Sequence, residues 1–116
     1  MQHADHRHFI ISGTPGSGKS VFVNEWIRRR ISNNPHNDLQ RIVWINCPES
    51  IEHVLHEIED QLLNESPNYT LRSYLIQHLT LIVVDGIVAL RDIDLDHLLI
   101  YLSAAEVILI GDSYIP

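Results

Sequence analysis

The 116-residue chain has one cysteine, one methionine, two phenylalanines, and eight lysines and arginines against fifteen aspartates and glutamates. Each shortage excludes something. A single cysteine, Cys47, cannot form an internal disulfide, and its isolation fits a reducing compartment. The net charge of −7 argues against broad, charge-driven binding to nucleic acid or to an anionic membrane. Apolar runs such as residues 81–84 and 107–110 are far too short to span a bilayer. The opening MQHADHRHF holds no apolar stretch of signal-peptide length. With 45% apolar and 20% charged residues, the expectation is one globular domain over residues 1–116, located in the cytoplasm.

What is present is an alternation of two patterns. Phe9-Ile10-Ile11, closed by Ser12 and Gly13, reads as a buried strand. From Gly18 a helix pattern follows, in which Phe22 and Trp26, and Val23, Ile27 and Ile31, recur at four-residue spacing; Asn33-Asn34-Pro35 stops it. Residues 41–46 are a β-branched and aromatic run closed by Pro48. Ser50 is placed as an N-cap for a helix bearing Ile51, Val54, Leu55, Ile58 and Leu62. A shorter helix is predicted around Leu71, Tyr74 and Leu75, a third strand over residues 79–85, a helix carrying Leu95, Leu98, Leu99 and Leu102, and a fourth strand over 106–110. Strands apolar on both faces, alternating with helices, predict an α/β fold with a parallel sheet covered on both sides.

Gly13-Thr14-Pro15-Gly16-Ser17-Gly18-Lys19-Ser20 matches G-x-x-x-x-G-K-[ST] in full, with a strand before it and an amphipathic helix after it. Glycines let such a loop curl until several backbone N–H groups converge on one anion, and the following helix adds the positive end of its dipole. The expectation is a phosphate site built from the backbone of residues 13–21, Val21 included. Lys19 reaches the terminal phosphates and Ser20 offers its hydroxyl to Mg²⁺. Asp85, ending the apolar run Leu81-Ile82-Val83-Val84, supplies the acidic second half of the metal site, so Ser20 and Asp85 are the predicted metal ligands. Any turnover relies on Lys19 and Asp85. The cofactors expected are ATP and Mg²⁺; GTP is disfavoured because no Asn-Lys-x-Asp base-reading motif is present.

These segments resemble the signal-transduction P-loop ATPases called STAND proteins, above all the NB-ARC and NACHT branches. The glycine loop, the tryptophan-bearing run Arg41-Ile42-Val43-Trp44-Ile45-Asn46 with Ile58, Leu62 and Leu63 after it, the 81–85 strand and Val107-Ile108-Leu109-Ile110 carry the likeness. AAA+ ATPases related to the origin-recognition group are a close rival, since Ile45-Asn46-Cys47 and Ile108-Leu109-Ile110-Gly111 also fit there. The resemblance implies a three-layer α/β/α P-loop sandwich with at least four parallel strands, working as a nucleotide switch.

Two departures bear on chemistry. Both families usually place an acid after the strand-ending aspartate; here Gly86 stands there, and glycine cannot position a water. NB-ARC relatives end the fourth strand in Thr-Thr-Arg, whereas Gly111-Asp112-Ser113 follows Ile110, so Asp112 would repel a γ-phosphate. Hydrolysis is therefore expected to be slow or absent, a weak ATPase at most. The alternatives are an active AAA+ type ATPase and a P-loop remnant serving as an interaction module. Against the family's plan the chain is expected to lack a fifth strand and a lid, leaving the first strand at an open edge that invites self-association or a protein partner.

Fainter signals have plain readings. His53 and His56, near Glu57 and Asp60, form a solvated face rather than a metal site, and His3, His6 and His8 an adventitious chelator at most. Arg28, Arg29 and Arg30 complement a helix dipole. Cys47 is expected as a packed thiol, and Trp26 and Trp44 as core packing.

Overall fold

A computed structural model describes residues 8–13, 18–33, 39, 41–64, 68–87 and 92–112. Its elements run β1 (His8–Gly13), α1 (Lys19–Asn33), β2 (Arg41–Asn46), α2 (Ile51–Leu63), α3 (Leu71–Gln77), β3 (Thr80–Asp85), α4 (Asp92–Tyr101) and β4 (Glu106–Asp112). The four strands form one sheet in the order β1-β4-β3-β2, every pairing parallel. The predicted α/β class and parallel sheet are thus observed, with the strands falling on the predicted runs.

Strand ends shift where pairing decides them. The third strand begins at Thr80 rather than Leu79, after the His78 cap of α3. Thr80 is fully buried, and its hydroxyl donates to the His78 carbonyl at 2.8 Å, which satisfies the one fully buried polar side chain of that strand. The fourth strand runs on to Asp112, because Ser12 and Gly13 of β1 lie in register with Gly111 and Asp112. Helix starts follow capping chemistry. Ser50 accepts the His53 N–H at 3.1 Å, and Thr70 and Ser73 close a reciprocal capping box at the head of α3.

Alternation along the strands divides the core in two. Ile82, Val84, Val107 and Leu109 face one way with Val43 and Ile45, and they pack against Val54, Ile58 and Leu62 of α2, Leu71, Tyr74 and Leu75 of α3, Leu98 of α4 and Leu102 in the turn after it. Leu81, Val83, Ile108 and Ile110 face the other way and meet Val23 and Ile27 of α1. Helices therefore lie on both faces of the sheet, as the two-sided apolarity of the strands requires. The crossover leaving β1 spans one face, while those leaving β2 and β3 run back across the other. Crossovers of one hand that travel in opposite directions must lie on opposite faces.

Two expectations are corrected here. Phe22, Trp26 and Ile31 share helical spacing with Val23 and Ile27, yet they stay 62%, 37% and 44% exposed. A single helix above a four-stranded sheet can seat only one narrow stripe, and α1 seats the Val23–Ile27 stripe. Trp26 is therefore not a core residue, whereas Trp44 does pack against that cluster. Cys47 is exposed, not a packed thiol, because its backbone turns into the left-handed region at φ 47°. Among the described residues no helix is long and apolar enough to cross a membrane.

Candidate functional site at the carboxyl ends of the strands

Parallel strands deliver all their carboxyl ends to one side of the sheet, where open α/β sheets hold ligands at the point where the winding changes direction. Here that point lies beside β1 and β4, because the connection after β1 goes one way and the later ones return. β1 ends there at Gly13, in register with Asp112. The loop itself, Thr14, Pro15, Gly16 and Ser17, lies outside the described residues, as does the Asp112 side chain. The chain re-emerges at Gly18 with φ 83°, a left-handed conformation that costs a glycine nothing and most other residues about 1–2 kcal/mol. The Gly18 carbonyl then accepts the Phe22 N–H at 2.9 Å, opening α1.

Lys19 and Ser20 are the first residues of that helix, both half-buried. The Ser20 hydroxyl donates to Asp85 Oδ2 at 2.5 Å across a sequence separation of 65 residues. Asp85 ends β3, in register with Asn46 of β2 and Ile110 of β4. Strand alternation carries Leu81, Val83 and then Asp85 toward α1, which is why the carboxylate meets the first turn of that helix. A hydroxyl on a carboxylate in a partly dry setting is a charge-assisted bond, typically about 1.5–3 kcal/mol. The Val21 side chain is 74% exposed. Beside Ser20 lies a small depression of about 210 Å³ lined by Val21, Asn24 and Trp44, below the range of about 300–1,000 Å³ usual for a small-molecule pocket.

Gly86 has a structural cause. Its φ is 78°, and a Cβ placed on it would stand 2.9 Å from Cys47 Sγ and 3.4 Å from the Cys47 Cα. Its N–H donates to the Ile110 carbonyl at 2.9 Å, and the Cys47 N–H to the Asp85 carbonyl at 2.7 Å, so the ends of β2, β3 and β4 are laced together. An acidic residue at 86 meets a strained backbone and an occupied space. Cys47 thus belongs to the rim of this site, which the sequence did not signal. A left-handed residue at a turn is ordinarily Gly, Asn or Asp, so nothing about cysteine marks the position.

Two hard oxygens, the Ser20 hydroxyl and the Asp85 carboxylate, fit a small divalent cation that keeps most of its waters. Among the described residues no group of three or more His, Cys, Asp or Glu could hold a metal on its own. His53 instead caps its own helix turn, its Nδ1 accepting the Glu49 N–H at 3.2 Å and its Nε2 lying 4.0 Å from Glu57. Comparison of the chain with family models, with curated proteins and with solved structures gives no match.

Proposed function

We propose that this chain binds ATP with Mg²⁺ at the loop of residues 13–21 and acts as a nucleotide switch with slow or no hydrolysis. The observation that carries the reading is the Ser20–Asp85 hydrogen bond. It joins the last residue of a complete glycine-loop motif to the acid that ends an apolar parallel strand, the two groups the motif's chemistry requires side by side. In this reading the loop backbone and Lys19 hold the phosphates, while the Ser20 hydroxyl oxygen and the Asp85 carboxylate would hold Mg²⁺ between them in place of their mutual hydrogen bond. The metal, when bound, would neutralise charge between the phosphates. The P-loop, STAND and NB-ARC likeness is a proposal on the same footing. Slow turnover follows from Gly86, where sterics exclude the acid that would orient water.

A second reading, a sheet that serves as an interaction module without useful nucleotide affinity, is favoured by the exposed apolar side chains of β1 and α1. Calorimetric titration of ATP–Mg²⁺ separates the two. The expected result is binding that Lys19→Ala weakens by at least about tenfold, the worth of one charge-assisted phosphate contact. Asp85→Asn should weaken the dependence on Mg²⁺. Equal affinities in the parent chain and the Lys19→Ala variant would sink the nucleotide reading. A turnover near about 10 s⁻¹, ordinary for an enzyme, would replace the switch with an active ATPase.

A further inference from the structure

β1 stands at one end of the sheet, and among the described residues its only strand neighbour is β4. Six residues of backbone therefore present their outward N–H and C=O groups to no other described strand. The side chains there are apolar on both faces of the sheet. Phe9, in register with Ile108, is on the α1 side and 45% exposed; Ile10, in register with Leu109, is on the opposite side and 64% exposed. One layer up, Phe22 and Trp26 of α1 overhang the same edge, and with β1 they enclose a groove of about 380 Å³. At its end His8 buries Nε2 without a hydrogen-bond partner, which a native protein rarely leaves standing.

We infer that this edge joins two copies of the chain by antiparallel pairing of β1 with β1, giving one continuous eight-stranded sheet. Three observations favour a second copy over a foreign strand. The first is depth. A single added strand would cover the backbone edge but leave Phe22 and Trp26 bare above it. A two-fold axis perpendicular to the sheet keeps both α1 helices on the same side, so the second copy brings its own Phe22 and Trp26 to that layer.

The second is area. Phe9, Phe22 and Trp26 on the α1 side of the edge and Ile10 on the other together leave on the order of 500 Å² exposed. A standard interface of about 800 Å² per partner, roughly two-thirds apolar in homodimers, needs about that much. The third is charge. A chain of net charge −7 repels its copy from most directions. α2 carries Glu52, Glu57, Glu59 and Asp60 with no lysine or arginine. α1 carries Lys19, Arg28, Arg29 and Arg30 against the single Glu25, so the acidic surplus lies away from the groove.

Sedimentation equilibrium of the 116-residue chain over about 1–100 μM tests this. The expected result is a monomer–dimer equilibrium with a micromolar constant. Phe22→Glu, at an exposed helix position, and Ile10→Lys, at the edge itself, should each raise that constant by at least about tenfold. Circular dichroism must stay unchanged for a variant to count, and Phe22→Glu secures the test if Ile10→Lys disturbs the strand. A chain that remains monomeric at 100 μM would overturn the inference. So would a dimer indifferent to both substitutions, or mass that grows without limit, which marks open-ended edge aggregation. The result is independent of nucleotide, so it can fail while the proposed function stands.

Discussion

The two faces of the sheet are built to different depths. On one, α2, α3 and α4 and the strands beneath them bury fifteen described residues in a single cluster; on the other, α1 alone closes a cluster of six. Beneath its helices the deep face has almost no slack: Val54, Ile58, Leu98 and Leu102 are fully buried, and Ile10 at the sheet edge is the exposed exception among its strand residues. The shallow face leaves Phe9, Phe22 and Ile42 between 39% and 62% exposed. Yet Ser20 and the Asp85 side chain it meets lie on the shallow face. The deep face supplies stability, and the shallow face supplies the position of one helix end.

If that division is right, truncations on the two faces should differ in cost. Leu98→Ala removes a fully buried side chain that three helices and the sheet cannot close over, and should cost about 4 kcal/mol. Ile27→Ala deletes a side chain of similar size, 6% exposed, on a face where one helix can settle inward. It should cost about 2 kcal/mol. Urea unfolding measures both. Equal costs would break the comparison, and a larger loss at Ile27 would reverse it.

The sequence made the deep face legible and the shallow one only in part. Of the residues that apolar spacing named in α2 and around α4, Val54, Ile58, Leu62, Leu98 and Leu102 are buried and Ile51, Leu55, Leu95 and Leu99 are partly buried against them, and the Ser50 cap is where the pattern put it. In α1 two apolar stripes lie side by side, and spacing alone cannot say which one meets the sheet. That depends on the sheet's width and on which strand lies at its edge, both of them tertiary facts. That Ser20 and Asp85 meet was legible because the loop motif and the strand-ending acid were expected beside one metal ion. The steric reason for Gly86 was not, since it rests on the left-handed turn at Cys47, which no residue type announces.

That turn yields a smaller prediction at the site. Gly86→Ala forces a side chain into a backbone at φ 78° and against Cys47 Sγ, and should cost about 2 kcal/mol. Cys47→Ala removes the sulfur but leaves the backbone strain. In the double variant about half the loss should therefore return, a coupling readable from a double-mutant cycle. Strict additivity would mean that the contact at 2.9 Å relaxes without cost and that Gly86 reflects backbone conformation alone.

The smallest expected effects separate the three arginines at the end of α1, which the sequence reads as one basic cluster. Arg28 and Arg29 share Glu25, at 3.2 and 3.3 Å, with both arginine side chains about three-quarters exposed. Water and salt screen such pairs, and Glu25→Gln should change stability by less than about 0.5 kcal/mol. Arg30 differs. It forks onto both oxygens of Glu106 at 2.6 and 2.8 Å, lies over the Trp26 ring at 5.6 Å, and leaves only 21% of its side chain exposed. Because Glu106 opens β4, this pair fastens the far end of the one helix on the shallow face to the sheet, away from the Ser20 end. Glu106→Gln keeps the shape, loses the charge, and should cost about 1–2 kcal/mol. The loss should persist at high salt, where the Glu25 contribution vanishes. If the shallow face owes α1's position to this tether, amide exchange should quicken across α1 in Glu106→Gln and stay unchanged in α2. Uniform quickening in both helices would show instead that the two faces unfold as one unit.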